Sequence, residues 1–478
     1  MNDISAINSN FSYTVDELPA EVFRNYDIRG FADSQITPKF AYKLGAALGS
    51  MLTQQQYESI YLGRDARLSS PQLAKALSQG LTQQGMNVID IDAISTPALN
   101  YAVHCDGSAD CGVMVTASHN AKQYNGFKII VRDQVIAGEL LQSIKQLMLS
   151  DIPSNGAFGE IIHANIAPQY IQAIMANCRP QQDFKIVIDC ANSIVGPLAV
   201  SLFNQLGYEV IPLFCQPDGN FPNHDPNPSD EGNLQTLQAA VLSNQADLGL
   251  AFDGDGDRLV VISGSGEILW PDQLLMIFAR DILTRYPKTD IVFDVKSSFS
   301  LKQLVSELGG NPVMCKTGHS HVRSKVQQTG ALVGGEFSGH IFFNDRWHGF
   351  DDGLYASVRL LEILANCDIA PKQALEKMMA EFKPSVYTPE ILIPVTEAEK
   401  FALMERLVAD CSFKGAIINT IDGLRVEYPL GWGLIRASNT SANLTMRFEA
   451  DNTDELARIK KLFSHELAPF INQVDQYL

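Results

Sequence analysis

Asp247-Leu248-Gly249-Leu250-Ala251-Phe252 runs straight into Asp253-Gly254-Asp255-Gly256-Asp257-Arg258, and Leu259-Val260-Val261-Ile262 follows. The first six residues predict a covered β-strand, and the loop begins where it stops. Open α/β sheets place ligands beyond strand ends of this kind. Three carboxylates at alternate positions supply hard oxygen ligands suited to Mg²⁺, and the intervening glycines let the backbone fold tightly. A calcium EF-hand is excluded. Its sixth position would be Arg258 instead of glycine, its twelfth Gly264 instead of glutamate, and a strand follows where a helix should.

Outward from this stretch, apolar strands alternate with helical patterns. Towards the N-terminus, Lys185–Asp189 reads as a strand, Pro197–Leu206 as a helix ended by Gly207, and Tyr208–Leu213 as a strand. Earlier still, Phe40–Gln54 carries Tyr42, Leu44, Ala47, Leu48 and Leu52 at helical spacing. Ile60–Gly63 is a strand, Pro71–Gly85 a helix, and Met86–Ile91 and Gly112–Val115 are strands. Towards the C-terminus, Gln273–Tyr286 is a helix, Asp290–Val295 a strand, Leu301–Leu308 a helix and Ala331–Gly335 a strand into a loop. This rhythm predicts three related α/β units, each delivering one loop, although no sequence identity links them. The last ~95 residues read as a compact α+β domain. They comprise a helix at Phe401–Asp410, a strand at Ala416–Ile418, a hairpin from Gly423–Glu427 and Gly433–Arg436, a strand at Leu444–Glu449 and a helix at Thr453–Val474.

The chain has 478 residues and a net charge of −18, with 46% hydrophobic and 9% aromatic residues. Such a balance argues against nucleic acid and anionic membranes as partners, although an acidic chain can still hold a basic pocket. The eight cysteines form no C-x-x-C pair and fit neither a zinc site nor a disulfide framework, so they are read as reduced, mostly buried thiols. The N-terminal stretch lacks the apolar core of a signal peptide, and no apolar run reaches the ~18 residues of a membrane span. A cytoplasmic protein is expected, with residues 1–20 as a loose tail.

Three more loops carry chemistry. Thr116-Ala117-Ser118-His119-Asn120 offers a hydroxyl nucleophile beside an imidazole, and Lys128 adds a nearby cation. Gly335-Glu336-Phe337-Ser338-Gly339-His340 sets Glu336, Ser338 and His340 on a glycine-flanked turn suited to sugar hydroxyls. Arg436-Ala437-Ser438-Asn439-Thr440-Ser441, with Arg447 on the next strand, fits a phosphate. A nucleophile, a triple-carboxylate metal loop, a polyol-binding loop and a phosphate clamp together describe phosphoryl transfer on a sugar phosphate. A phosphatase with an aspartate nucleophile would leave Ser118 idle, and its Asp-x-Asp motif belongs after an early strand.

With Phe23-Arg24-Asn25-Tyr26-Asp27-Ile28-Arg29-Gly30, these four motifs occur in an order and spacing that resembles the α-D-phosphohexomutases, most closely their bacterial phosphomannomutase/phosphoglucomutase group. The resemblance covers nearly the whole chain. It implies a heart-shaped molecule of four domains, three α/β domains of common topology and a C-terminal α+β domain that closes a cleft. The expected domains are 1–165 with the phosphoserine loop, 166–267 with the metal loop, 268–383 with the sugar loop and 384–478 with the phosphate loop.

By the same resemblance Ser118 is the phosphoserine, and it joins Asp253, Asp255 and Asp257 around Mg²⁺. Glu336 and Ser338 hold the sugar O3 and O4 hydroxyls. Arg436, Ser438, Asn439, Thr440 and Arg447 grip the non-reacting phosphate. Tyr26, Arg29, His119, Lys128, Arg258, Lys296 and His319 match further active-site positions. The implied activity moves phosphate between O1 and O6 of mannose or glucose phosphates, with glucose 1,6-bisphosphate or mannose 1,6-bisphosphate as intermediate and activator. A monomer is expected. The alternatives are a phosphoglucosamine mutase and a catalytically silent sugar-phosphate sensor. Two departures, Ala121 after Ser-His-Asn and Ser441-Ala442 after Arg-Ala-Ser-Asn-Thr, replace family prolines or Glu-Pro and bear on loop stiffness.

Overall fold

The computed structural model describes all residues except 1–13, 15, 16, 25, 133, 154, 155, 157, 179, 181, 397, 398 and 439–441. The chain forms two compact units: Met1–Ile268 with Phe350–Lys372, and Leu269–Gly349 with Gln373–Leu478.

The first unit holds two sheets. In chain order the first contains β1 (Ile28–Phe31), β2 (Ser59–Arg64), β3 (Asn87–Ala93), β4 (Cys111–Val115), β5 (Tyr124–Val131), β6 (Gln134–Val135) and β7 (Ile161–His163). The second contains β8 (Lys185–Asp189), β9 (Glu209–Leu213), β10 (Leu248–Phe252) and β11 (Leu259–Ser263). The short β12 (Ile268–Leu269) follows at the boundary. In the second unit, β13 (Asp290–Asp294), β14 (Asn311–Cys315), β15 (Val333–Gly335) and β16 (Ile341–Phe343) form one sheet. The strands β17 (Val386–Tyr387), β18 (Ile391–Pro394), β19 (Ile417–Asn419), β20 (Leu424–Tyr428), β21 (Gly431–Ala437) and β22 (Asn443–Ala450) form the other.

A common four-strand pattern underlies the first three sheets. β2 lies parallel to β3 on one side and to β4 on the other, and β4 pairs antiparallel with β5. β8 repeats this with β9, β10 and β11. β13 repeats it with β14, β15 and β16. Three of the four chemistry-bearing loops therefore occupy one topological position, the turn from the third parallel strand into its antiparallel neighbour. That recurrence is the repeat that strand rhythm alone implied.

Each sheet is buried by helices whose apolar faces follow the 3.6-residue period. Helix Pro38–Gln54 starts at Thr37, whose hydroxyl accepts from Phe40 N–H, with proline at its first position. It packs backbone to backbone on helix Ser70–Gln83. A Cβ on Gly45 would meet the Leu77 carbonyl at 2.3 Å, and one on Gly80 the Tyr42 carbonyl at 2.1 Å. Only glycine permits that approach.

The C-terminal sheet has two unlike buried faces. Leu424, Val426, Ile435, Leu444, Met446 and Phe448 join the core under helices Lys400–Asp410 and Thr453–Leu467. On the other face Arg425, Glu427, Arg436, Arg447 and Glu449 are buried polar residues. They pack on the β13 domain within the same unit, where Ser298 Oγ donates to Glu449 (2.6 Å) and Lys302 Nζ to Glu427 (2.9 Å).

Several expectations need revision. Residues 1–13 of the expected tail lie outside the described residues, but Leu18 is buried in the first core, so the tail ends before residue 20. The last helix stops at Leu467 instead of Val474, because Pro469 has no N–H to continue its hydrogen-bond ladder. By packing, Phe350–Lys372 groups with the first unit. Helix Gly353–Ala365 is tied there by Tyr170 Oη donating to Asp352 (2.8 Å) and by Tyr355 Oη with Asn177 (2.8 Å). All eight cysteines are unbridged. Among the described residues no helix is long and apolar enough to cross a membrane.

Candidate active site

In the first unit, the loops after β4 and β10 meet. Ser118 is buried in a left-handed backbone conformation, φ 49°. Its Oγ donates to Asp253 Oδ2 at 2.8 Å and lies 3.2 Å from His119 Nδ1. The metal loop presses on the serine backbone, since a Cβ on Gly254 would stand 2.2 Å from the Ser118 carbonyl oxygen. This glycine is required by close approach, not by a turn.

Asp253, Asp255 and Asp257 are all buried, and each offers a carboxylate oxygen within 4.8 Å of the others. Asp253 Oδ1 accepts the N–H groups of Gly256 (3.0 Å), Asp257 (3.1 Å) and Arg258 (3.3 Å), which folds the loop around one carboxylate. Asp255 Oδ1 is buried with no hydrogen-bond partner, an expensive arrangement that a cation relieves. The three carboxylates fit a hard divalent ion. Burial, then repulsion from Asp257 and Asp255, pushes the Asp253 carboxyl up to about 8.

Lys128 on β5 is the local counter-charge. Its Nζ donates to Asp255 (2.7 Å) and Asp257 (2.6 Å). Burial alone would lower its pKa, but Asp255, Asp257, Asp351 and Asp253 together hold it above the ordinary lysine value. Arg258 Nε stands 3.7 Å from Asp253 Oδ2. Arg29 on β1 reaches the nucleophile loop by donating to Asn120 Oδ1 (2.7 Å), and its other arm pairs with Asp27. Tyr26 is buried close by in sequence.

In the second unit, the loop after β15 is drawn tight by Glu336 N–H donating to the His340 carbonyl (2.9 Å) and Gly339 N–H to the Glu336 carbonyl (3.0 Å). Glu336 is buried and accepts from Gly318 N–H at 2.6 Å. Burial raises its pKa, opposed by His340 and reinforced by Asp294. His319 and His340 are both buried, ring centroids 5.5 Å apart. Ser338 is half-buried at the tip. Lys296 Nζ lies 5.9 Å from the Phe337 ring and 3.7 Å from Glu390.

Arg436 is held on β21 by Asp422, which accepts from its Nε at 2.9 Å. Ser438 directly follows the same strand, buried. Asn439 and Thr440 lie outside the described residues. Arg447, on β22, is buried beside this strand, and its Nε has no hydrogen-bond partner. Its Nη1 donates to the Lys296 carbonyl, its guanidinium lies 3.6 Å from the Phe337 ring centroid, and Asp272 is 3.7 Å away. These contacts brace the sugar loop.

Sequence reasoning missed the supports. An aspartate closes the first strand of each repeat, in Gly63-Arg64-Asp65, Val187-Ile188-Asp189 and Val292-Phe293-Asp294. Asp65 accepts from Thr116 Oγ1 (2.7 Å), and Asp294 from Phe337 N–H (3.1 Å) and Thr317 Oγ1 (2.9 Å). Asp189 accepts from Ala191 N–H (2.9 Å) and pairs with His224 (3.1 Å). The recurrence of strand-end Asp was the available signal. Arg67 and Asp351 carried none.

Comparison with known proteins adds a family. Four family descriptions match in order: phosphoglucomutase/phosphomannomutase alpha/beta/alpha domain I over residues 20–152, domain II over 168–266, domain III over 270–382, and the C-terminal domain over 390–465. A Pseudomonas aeruginosa protein named phosphomannomutase/phosphoglucomutase is 46% identical over 94% of this chain and 96% of its own length. A phosphoglucomutase of Neisseria gonorrhoeae is 43% identical over 93% and 96%. The crystal structure of a phosphoglucomutase/phosphomannomutase family protein from Burkholderia thailandensis superimposes with a TM-score of 0.88 at 41% identity, covering 95% of this chain and 98% of that one.

Proposed function

The chain belongs to the phosphoglucomutase/phosphomannomutase family, and from that premise we propose that it moves a phosphoryl group reversibly between O1 and O6 of mannose and glucose phosphates. Phosphorylated Ser118 donates its phosphoryl group to the free hydroxyl, giving a 1,6-bisphosphosugar. The sugar then turns over, and its other phosphate returns to Ser118. Glucose 1,6-bisphosphate or its mannose counterpart both primes the enzyme and is the intermediate.

One observation carries this reading: a buried serine hydroxyl 2.8 Å from a carboxylate of a three-aspartate loop. Asp253, Asp255 and Asp257, with an oxygen on Ser118, would hold Mg²⁺, which supplies positive charge to the transferring phosphoryl group. His119 Nδ1, 3.2 Å from Ser118 Oγ, is placed to give a proton to the serine oxygen as the phosphoryl group leaves it and to take one back when the group returns. Lys128 and Arg258 add positive charge beside the acidic loop. Arg29 supports the loop through Asn120.

Glu336 and Ser338 read the sugar O3 and O4 hydroxyls, which nearly exchange places when the sugar turns over; His340 and His319 flank them. Tolerance at C2 follows, hence both hexoses. Arg436, Ser438 and Arg447, with Asn439 and Thr440, take the phosphate that is not reacting. A substrate this charged does not cross a membrane unaided, so the activity belongs in the cytoplasm. One chain carries all four loops and can work as a monomer. Relatives at 43–46% identity carry hexose names, which disfavours the amino-sugar alternative.

The test is turnover of mannose 1-phosphate, glucose 1-phosphate and glucosamine 1-phosphate with Mg²⁺ and a trace of glucose 1,6-bisphosphate. The reading predicts comparable conversion of the first two. Turnover of the third alone would shift the assignment, and no turnover would leave a sensor.

A further inference from the structure

Arg67 is fully buried three residues beyond β2, in a part of the chain to which the proposed reaction assigns nothing. Its guanidinium has five N–H donors, and five hydrogen bonds use them. Nε donates to Asp65 Oδ2 (3.0 Å). Nη1 donates to the carbonyls of Ala121 (2.8 Å) and Tyr124 (3.1 Å), and Nη2 to those of Ser118 (2.8 Å) and Asn120 (2.6 Å). Three carbonyls of one short loop and that of the first residue of β5 thus converge on one planar fork. The Phe221 ring centroid lies 5.2 Å from the guanidinium carbon.

Asp65, which anchors the fork, is itself fixed. It accepts from Arg67 N–H (3.0 Å), Ser70 Oγ (2.6 Å) and Thr116 Oγ1 (2.7 Å). Thr116 Oγ1 in turn accepts from Ser118 N–H at 2.9 Å. The nucleophile is therefore held through its own N–H and its own carbonyl by one connected network. It needs such a hold, because Ser118 sits at φ 49°, where a residue with a Cβ is strained and persists only when its surroundings over-determine it.

We propose that Arg67 is the positioning residue of the nucleophile. It does not contact substrate, since its donors are spent on the protein. It keeps the loop in the left-handed turn that aims Ser118 Oγ at the metal loop. The inference rests on Ser118 being the phosphoryl carrier. A lysine keeps the charge but has no planar fork and cannot meet four carbonyls at once.

The experiment measures kcat and KM for glucose 1-phosphate in wild type, Arg67→Lys, Arg67→Met and Asp65→Asn, with Mg²⁺-induced thermal stabilisation recorded for each. Misplacement of the serine predicts a kcat loss of about 100-fold in both Arg67 variants, with KM little changed and Mg²⁺ stabilisation retained. Asp65→Asn, which loosens the fork without removing it, predicts a smaller kcat loss in the same pattern. If the Arg67 variants do not fold, Asp65→Asn decides. Wild-type kcat in Arg67→Met, full rescue by Arg67→Lys, or wild-type kcat in Asp65→Asn overturns the proposal. An inactive wild type overturns instead the reading of Ser118.

Discussion

The loops after β4 and β15 leave equivalent strands of the repeat, yet they are built for opposite tasks. The first is set in buried charge. Ser118 touches Asp253, and a lysine bridges Asp255 and Asp257. The second closes on one buried glutamate that accepts a backbone N–H, with two histidines and an aromatic ring around it. The topology fixes where a loop emerges and the side chains decide its chemistry. Charge that must be neutralised on demand suits phosphoryl transfer, whereas fixed hydrogen-bonding groups suit recognition of a polyol.

The contrast predicts unequal damage. Ser118→Ala removes the proposed covalent carrier, and kcat is expected to fall by at least about 10⁴-fold in a coupled assay. A residual rate near wild type would place the nucleophile elsewhere. Asp255→Asn takes one carboxylate from the cation site and predicts a loss of about 10²–10³-fold, with a raised Mg²⁺ requirement in titrations. Unchanged Mg²⁺ dependence would detach the acidic loop from the metal.

The second loop predicts milder effects on substrate recognition. Glu336→Ala should lower kcat/KM by about 10–100-fold, the worth of a charged hydrogen bond, while Ser118 still accepts a phosphoryl group from glucose 1,6-bisphosphate. Loss of that half-reaction would mean that Glu336 serves transfer itself. Arg436→Lys gives up bidentate contact and should raise KM by about 10-fold with less change in kcat.

The smallest effect separates the strand-end aspartates. Asp294 is held by neutral donors and backbone groups and Asp65 pairs with Arg67, but Asp189 pairs with the titratable His224. Burial lowers the His224 pKa, but the hydrogen bond and charge of Asp189 outweigh it and raise the value. A raised folded-state pKa contributes stability that is full below the unfolded value of about 6.5 and lost as pH rises through the folded value. His224→Asn should therefore cost about 1 kcal/mol or less near pH 6 and close to nothing near pH 9, by thermal melts. An equal cost at both pH values would assign His224 to packing.

Much of this could be read from residue pattern. Strands such as Lys185–Asp189 are continuous apolar runs, and the loops they feed are dense in rare combinations such as Asp-Gly-Asp-Gly-Asp. The supports could not be read. Arg67 looks like a surface arginine until four carbonyls are folded around it. Arg447 is braced by the Lys296 carbonyl and the Phe337 ring, through contacts more than a hundred positions away in sequence. Helix Gly353–Ala365 groups with the first unit through Tyr170 and Asn177, partners that local periodicity does not encode.

The most direct measurement is to incubate the protein with Mg²⁺ and glucose 1,6-bisphosphate carrying labelled phosphate, then map the label and chase it with unlabelled glucose 1-phosphate. The structure predicts label on Ser118 alone, discharged to the sugar as a hexose phosphate. Label on another residue, or its release as inorganic phosphate, would contradict a serine-borne mutase.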